Sequence, residues 1–364
     1  VSGRTTPGAA PVRVYPLPPQ LLTSPYMDQL YGPMAGLAGL EVRRTRPRHA
    51  VPELLLGRGP RILHLHFFDE LTQRRGRAQT AARSLAFLAL LAGLRARGVR
   101  LVWTAHNLAP HELHHPGWGF LVYRTVIRWS DRVIAHSQAA RAALEARYGA
   151  IPHAAVVPHG SYIGLYGPPR PRAAARAALG LPPKGRLLLC LGALRPYKNI
   201  EGLIDAFAGL PPDTRGTLLI AGQPKSAGYA AELEARAAAV PGALLRPALV
   251  PDADLPDYLG AADALVLPYR SLLTSGVLLW ALSYARAVVA PAFGPVCELV
   301  ADGREGLLFE PGRPDALRGA LARALAHPDL DALGRAGLAV AERFPWAEIA
   351  RRTAEIYREV GRRK

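Results

Sequence analysis

Two cations three residues apart, Arg195 and Lys198, stand in the stretch "LGALRPYKNIEGLIDAF" (191–207) between an apolar run and an amphipathic one. The first run reads as a strand and the second as a helix, with a short glycine-containing turn between them. Arginine offers a planar fork of donors and lysine a compact charge, while a helix N-terminus adds bare N–H groups and a positive dipole end. That combination suits a diphosphate. The alternative is two solvated charges on a loop. The chain holds 41 Arg and four Lys, so a lysine at this place runs against the composition.

A second stretch, "YRSLLTSGVLLW" (269–280), puts Thr274, Ser275 and Gly276 ahead of Val277 at the start of an apolar helix. Such a turn presents N–H groups to phosphate, or its hydroxyls cap the helix themselves. In the first half, "TAHNLAPHE" (104–112) follows a strand and carries His106 and His111, either of which suits a catalytic base or a hydrogen bond to a sugar. Asp69 and Glu70, after "LHLHFF" (63–68), are rival bases, and His159 and Gly160 in "VPHGSY" fall at a hinge. For each histidine a purely structural place at a strand end is the competing reading. The four histidines of "HNLAPHELHH" (106–115) are irregularly spaced and interrupted by Pro110, with Pro116 directly after them, which fits no metal motif. The Asp-Ala-Asp at 252–254 reads as a turn and cap. A Gly-x-Gly-x-x-Gly after the first strand and a Walker loop are both missing, which removes the main support for dinucleotide oxidoreductases and nucleoside triphosphatases.

These loops need a scaffold, and 364 residues are comfortable for two domains. Apolar runs at 11–18, 40–46, 61–68, 99–107 and 131–137 read as strands, separated by helical patterns at 24–39, 72–98, 119–130 and 138–149. After a Gly- and Pro-rich stretch (159–186), strands are expected at 186–194, 216–222, 244–249, 262–269, 287–293 and 306–311, with helices between them and an amphipathic tail. Continuous apolar strands alternating with helices mean parallel sheets covered on both faces. Open parallel sheets bind ligands at the carboxyl ends of their strands, so two of them define a cleft between facing loops.

Charge divides the chain unevenly. Residues 1–180 carry 23 Arg and no Lys against 8 acids, while residues 181–364 carry 22 basic against 20 acidic residues. The first half therefore expects an anionic partner such as a membrane surface, unless a generally arginine-rich composition produced the excess. Only Cys190 and Cys297 are present, which excludes a disulfide framework and fits a reducing cytoplasm. No apolar run is long enough for a membrane span, and no nucleic-acid reader motif accompanies the arginines.

The stretches "LGALRPYKNIEGLIDAFAGL", "RPALVPDADLPDYLGAADALVLPYR" and "ALSYARAVVAPAFGPVCELVADGREGLLFEPG" resemble the donor half of GT-B glycosyltransferases of bacterial polysaccharide assembly, over most of 185–350. "SPYMDQLYG", "LHLHFF" and "WTAHNLAPHE" resemble the other half more weakly. The resemblance implies an α/β GT-B fold of two doubly wound, Rossmann-like domains facing across a cleft. The first (1–165) would bind acceptor and the second (166–345) the nucleotide-sugar, with a helix at 346–364 packing back on the first. It implies that Arg195, Lys198 and the 274–277 loop bind the donor diphosphate, and that Arg246, Leu249, Val250 and Tyr269 surround the nucleoside. The family's pair of glutamates aligns here with Leu272 and Trp280, neither a carboxylate. Catalytic roles fall to His106, His111 or Asp69. The expected activity is metal- and cofactor-independent transfer of a hexose, mannose favoured, from a GDP-sugar rather than a UDP-sugar to a glycan or lipid-diphosphate-linked acceptor. The expected place is the cytoplasmic face of an anionic membrane, without nucleic acid. A non-catalytic nucleotide-sugar scaffold and an epimerase of the same fold are the alternatives.

Overall fold

The computed structural model describes residues 10–21, 24–110, 114–313 and 315–362. The chain divides into two units, Val1–Gly160 with Trp346–Lys364, and Ser161–Pro345.

The first unit is built on a sheet of six parallel strands: β1 (Val12–Leu17), β2 (Leu40–Val42), β3 (Arg61–Leu65), β4 (Arg100–Thr104), β5 (Arg132–Ala135) and β6 (Ala154–Val156), in the order β2-β1-β3-β4-β5-β6. Every residue of β3 is buried, the pattern expected of a strand covered on both faces. β6 differs from expectation: three residues are too few to show a pattern, and only the pairing of Val133, Ile134 and Ala135 with Ala154, Ala155 and Val156 defines it. The helix Pro47–Leu56 is likewise new, because its prolines at 47 and 52 read locally as breakers. The final helix, Trp346–Arg362, buries Ile349, Ala350, Tyr357 and Val360 in one core with Val14, Met27, Ile62 and Ile134. Its buried positions recur every three or four residues, so one apolar stripe of the helix faces that core.

The second unit carries β7 (Leu187–Leu191), β8 (Thr217–Ala221), β9 (Ala243–Arg246), β10 (Ala264–Val266), β11 (Ala287–Pro291) and β12 (Gly306–Phe309), all parallel in the order β12-β11-β10-β7-β8-β9. Successive side chains of β7 enter opposite cores, Leu189 and Leu191 on one face and Leu188 and Cys190 on the other. The glycine- and proline-rich stretch holds a helix, Arg172–Ala178, in place of continuous linker. It forms because Ala175 and Arg176 are buried, the latter donating to Asp263 at 2.8 Å. Helices Ala316–Ala326 and Leu330–Ala341 complete the layer.

In both sheets the strand order reverses beside the first strand, between β1 and β3 and between β7 and β10. Loops leaving such a switch point splay apart at the carboxyl edge and open a crevice for ligand.

Candidate functional site

The loops leaving β7 and β10 come together at the switch point of the second unit. Gly192, directly after β7, has φ +102°, and a Cβ there would stand 3.5 Å from both Lys198 Nζ and Val277 Cγ2. Glycine at 192 thus keeps the chain low between the lysine and the second loop. The chain then passes Arg195, makes a short 3-10 turn over Pro196–Lys198 and enters helix Ile200–Ala208 through Asn199 in a left-handed conformation. Asn199 Oδ1 accepts from Arg270 Nε at 3.0 Å and Arg270 N–H donates to Tyr197 O at 3.1 Å, tying the two loops together.

Lys198 is only 8% exposed, with Nζ 5.3 Å from the centre of the Tyr269 ring. Burial holds its ammonium down to about 8; the Cys190 thiol opposes the fall and Arg195 adds to it. A buried cation with an aromatic face and no carboxylate partner among these causes is suited to an incoming anion. Arg195 lies beside it, half-buried, donating to Leu194 O at 3.2 Å and Gln223 O at 3.3 Å.

Across the loop, Ser275 caps helix Gly276–Ser283, its Oγ accepting from Leu278 N–H at 3.1 Å. Thr274 Oγ1 is buried and, among the described residues, has no hydrogen-bond partner. Gly276 has no room for a side chain, since a Cβ would meet Tyr162 Oη at 2.9 Å. Leu272 and Trp280 are half-buried against the apolar core, and the Trp280 ring lies 5.7 Å from Tyr162 and 6.2 Å from Tyr166.

The nucleoside candidates are placed less uniformly. Arg246, at the end of β9, spends its guanidinium on Tyr258 Oη at 3.2 Å and on Leu179 O, while its carbonyl accepts from Gly222 N–H at 3.1 Å. Leu249 is 61% exposed and Val250 half-buried. Tyr269 is buried with its face toward Lys198, which leaves little ring for a base to stack on.

One glycine outside these loops holds them in place. At Gly222, following β8, a Cβ would fall 2.0 Å from Gly192 O. That neighbour is backbone and cannot swing aside, so Gly222→Ala is expected to displace the Gly192 turn. Nucleotide-dependent thermal stabilisation of the variant should be lost even where the circular dichroism spectrum is unchanged.

In the first unit, the carboxyl edge of the sheet carries a row of histidines: His66 after β3, His106 after β4, His136 after β5 and His159 after β6. All four are buried. His66 Nδ1 pairs with His106 Nε2 at 3.1 Å, and the His106 ring stacks on Phe67 with centres 4.0 Å apart. Tyr26 meets the His106 ring edge-on at 4.9 Å. Burial lowers His136 to about 4 and His159 to about 3, with His136 adding to the second shift. His159 Nδ1–H donates to Gly160 O at 2.7 Å, and Gly160 must be glycine because a Cβ would lie 2.3 Å from the Trp346 ring. Asp69 opens the short helix after β3 and accepts from Tyr123 Oη at 2.7 Å. His111 lies outside the described residues.

Sequence reasoning singled out His106 and His159 and passed over His66 and His136. The signal was present, since "LHLH", "TAH", "IAH" and "VPH" repeat one pattern at four consecutive strand ends. Among the described residues no three His, Cys, Asp or Glu side chains converge as metal ligands.

Against this geometry, comparison with known proteins is decisive on family. Residues 185–327 match the model described as glycosyl transferases group 1, and residues 33–161 match glycosyltransferase family 4. A GDP-mannose:glycolipid 4-beta-D-mannosyltransferase of Xanthomonas campestris pv. campestris is 33% identical, over 75% of this chain and 71% of that protein. The chain belongs to the group 1 glycosyltransferases. A D-inositol 3-phosphate glycosyltransferase of Segniliparus rotundus is 32% identical over 72% of the chain, which spans 61% of that protein. The fold of this glycosyltransferase is shared with Anabaena HepE solved with UDP and glucose (TM-score 0.69, 20% identity, 95% and 99% of the two chains). It is also that of sucrose-phosphate synthase from Thermosynechococcus elongatus (TM-score 0.67, 19% identity, 96% and 99%). Both confirm GT-B architecture. The transferase is thus an enzyme with two Rossmann-like units, each built on six parallel strands.

Proposed function

We propose that this glycosyltransferase moves mannose from GDP-mannose to a glycolipid acceptor at an anionic membrane surface. The observation that carries the donor and acceptor classes is the 33% identity to the Xanthomonas GDP-mannose:glycolipid mannosyltransferase. The second unit supplies a fitting site. As the bond from sugar to diphosphate breaks, negative charge grows on the departing phosphate. Arg195, Lys198 and the N–H groups at the start of helix Gly276–Ser283 are fixed donors and cations suited to hold it. In this reading the stabilisation comes from side chains and a helix end, and the reaction is metal-independent. Arg246, Leu249, Val250 and Tyr269 bound the nucleoside end.

In the first unit, His106 is the base or sugar-facing hydrogen-bonding group, with His159 and Gly160 at the end of the same histidine row; Asp69 is the alternative base. The acceptor's anionic head group is drawn by Arg74, Arg75 and Arg77. These precede and begin helix Arg77–Ala96, which packs beside helix Pro116–Trp129. Neither helix contains an acidic residue, and Leu85, Phe120 and Leu121 are exposed on them. A basic and apolar surface of this kind suits the headgroup region of a bilayer. Among the described residues no helix is long and apolar enough to cross a membrane, and the reading places the enzyme peripherally on the cytoplasmic face.

Thermal stabilisation by GDP, UDP, ADP, dTDP and their sugars tests the donor. GDP and GDP-mannose are expected to raise the melting temperature by mass action. A response confined to UDP compounds would overturn the mannose assignment, and no response at all would overturn the donor site. For the membrane, sedimentation with phosphatidylglycerol vesicles is expected to weaken about a hundredfold when Arg74, Arg75 and Arg77 become Ser, at about 1 kcal/mol for each charge. Equal binding to neutral vesicles would remove the anionic surface from the reading.

A further inference from the structure

Behind His106 runs an unbroken hydrogen-bonded chain of buried groups. Thr104 Oγ1 pairs with His64 Nε2 at 2.8 Å, and His64 Nδ1 pairs with Tyr31 Oη at 2.7 Å and Tyr357 Oη at 2.5 Å. Tyr357 Oη lies 3.3 Å from Tyr31 Oη, Tyr31 Oη pairs with His66 Nε2 at 2.7 Å, and His66 Nδ1 pairs with His106 Nε2 at 3.1 Å. The chain draws on β3, β4, the helix after β1 (Tyr26–Tyr31) and the C-terminal helix. His64 is 0% and Tyr357 0% exposed, so water does not compete for these bonds.

Proton counting limits what this chain can do. A neutral imidazole has one N–H and one lone pair, and each hydroxyl has one proton. In one self-consistent direction Thr104 donates to His64, His64 to Tyr357, Tyr357 to Tyr31, Tyr31 to His66 and His66 to His106 Nε2, which leaves His106 protonated on Nδ1. In the other direction every bond reverses, and His106 donates from Nε2 with a lone pair on Nδ1. Only the first direction gives every buried proton an acceptor. In the second, Thr104 Oγ1 accepts from His64 and its own proton has no other hydrogen-bond partner among the described residues; arrangements in which the two ends disagree likewise leave a buried hydroxyl proton unmet, at the desolvation cost of an orphaned donor. In the first direction the 2.7 Å contact of His64 Nδ1 with Tyr31 Oη shares the proton directed at Tyr357. Burial holds His64 and His66 well below the ordinary imidazole range, with neighbouring histidines lowering both further. Both therefore stay neutral at physiological pH, and a proton taken up at His106 is not passed inward to them.

The geometry points to His66 and Tyr31 as positioning residues that act together to set the tautomer of His106, and so decide whether its Nδ1 offers a proton or a lone pair. This rests on the proposed role of His106 in transfer. Neither His66 nor Tyr31 is placed in contact with substrate; each acts through His106.

The test is 15N NMR of ring nitrogens in histidine-labelled enzyme, with His106 assigned by His106→Gln, beside steady-state kinetics. The wild-type enzyme is expected to show His106 in one dominant tautomer. Tyr31→Phe, which keeps the ring and deletes the oxygen, should give a mixture and lower kcat on the order of tenfold to a hundredfold, with donor KM little changed. His66→Phe should do the same, and His66→Gln, which retains a donor and an acceptor, should recover part of the loss. Equal tautomer populations in the wild-type protein would overturn the inference without any variant. So would His106 resonances and kcat unchanged in folded Tyr31→Phe or His66→Phe. Full turnover by His106→Ala would instead remove His106 from the reaction, and the tautomer measurement would still decide whether the chain orders its ring.

Discussion

Lys198→Ala is expected to lower kcat/KM by about a hundredfold to a thousandfold, the range for removing one preorganised donor from a developing oxyanion. The same change is expected to leave the free protein at least as stable as before, because it removes a charge that burial opposes. This pairing of lost function with retained stability separates a ligand-binding lysine from a structural one. The pH dependence follows from its position near 8 in the folded chain, below the ordinary lysine value. Below about pH 8 the folded protein carries the buried ammonium at its full desolvation cost. Between about 8 and the ordinary value the unfolded chain holds the proton that the folded chain has shed, so stability rises with pH through that window. Binding of a nucleoside diphosphate runs the other way: the anion favours the charged lysine, and affinity should fall as pH rises above about 8. Isothermal titration with GDP across this range checks the sign. Affinity independent of pH in the wild type, or equally dependent in Lys198→Met, would detach the lysine from the phosphate.

Asp263→Asn is expected to destabilise the second unit by about 3–5 kcal/mol, the usual effect of removing one member of a buried ion pair. Asp263 stands directly before β10, away from the carboxyl-edge loops, and is 4% exposed. It accepts from Arg176 at 2.8 Å, from Leu187 N–H at 2.7 Å and from Arg186 at 3.4 Å. Arg176 is itself 3% exposed, and its other donors go to the carbonyls of Ala261 and Gly185 at 3.0 and 2.9 Å. Loss of the carboxylate leaves that guanidinium buried without its counter-charge and replaces one of two accepting oxygens with an NH2 donor beside the arginines. Urea denaturation should show the lowered midpoint. Pairing Asp263→Leu with Arg176→Met is expected to recover much of the loss, since both charges then leave together. A midpoint shift in Asp263→Asn no larger than that of an exposed pair such as Arg313 with Glu310 would refute the assignment.

The second unit was legible because its information is local. The apolar run of β7, the glycine turn, the two cations and helix Ile200–Ala208 occupy consecutive residues, so strand period, helix period and charge spacing all lie within one short window. The alternation of continuous apolar strands with helices gave the doubly wound class for the same reason. Where local pattern was weak, structure was missed. β6 is three residues long, helix Pro47–Leu56 is spelled with prolines, and helix Arg172–Ala178 sits in a stretch whose Gly and Pro content reads as linker. Each depends on partners far along the chain: β6 on β5, and Arg176 on Asp263.

By itself the sequence determined the parallel α/β architecture, the strand-loop-helix carrying Arg195 and Lys198, and the concentration of positive charge in the first half, because these depend on residue type and short spacing. Tertiary structure alone decided that Lys198 is buried against Tyr269, that the Ser275 hydroxyl caps its helix, and that His64, His66, His106, Tyr31 and Tyr357 share one chain of hydrogen bonds. His64 and Tyr357 are 293 residues apart in sequence. Burial and long-range hydrogen bonding depend on which strands lie side by side and which helix returns to cover them, and no window along the chain contains both partners.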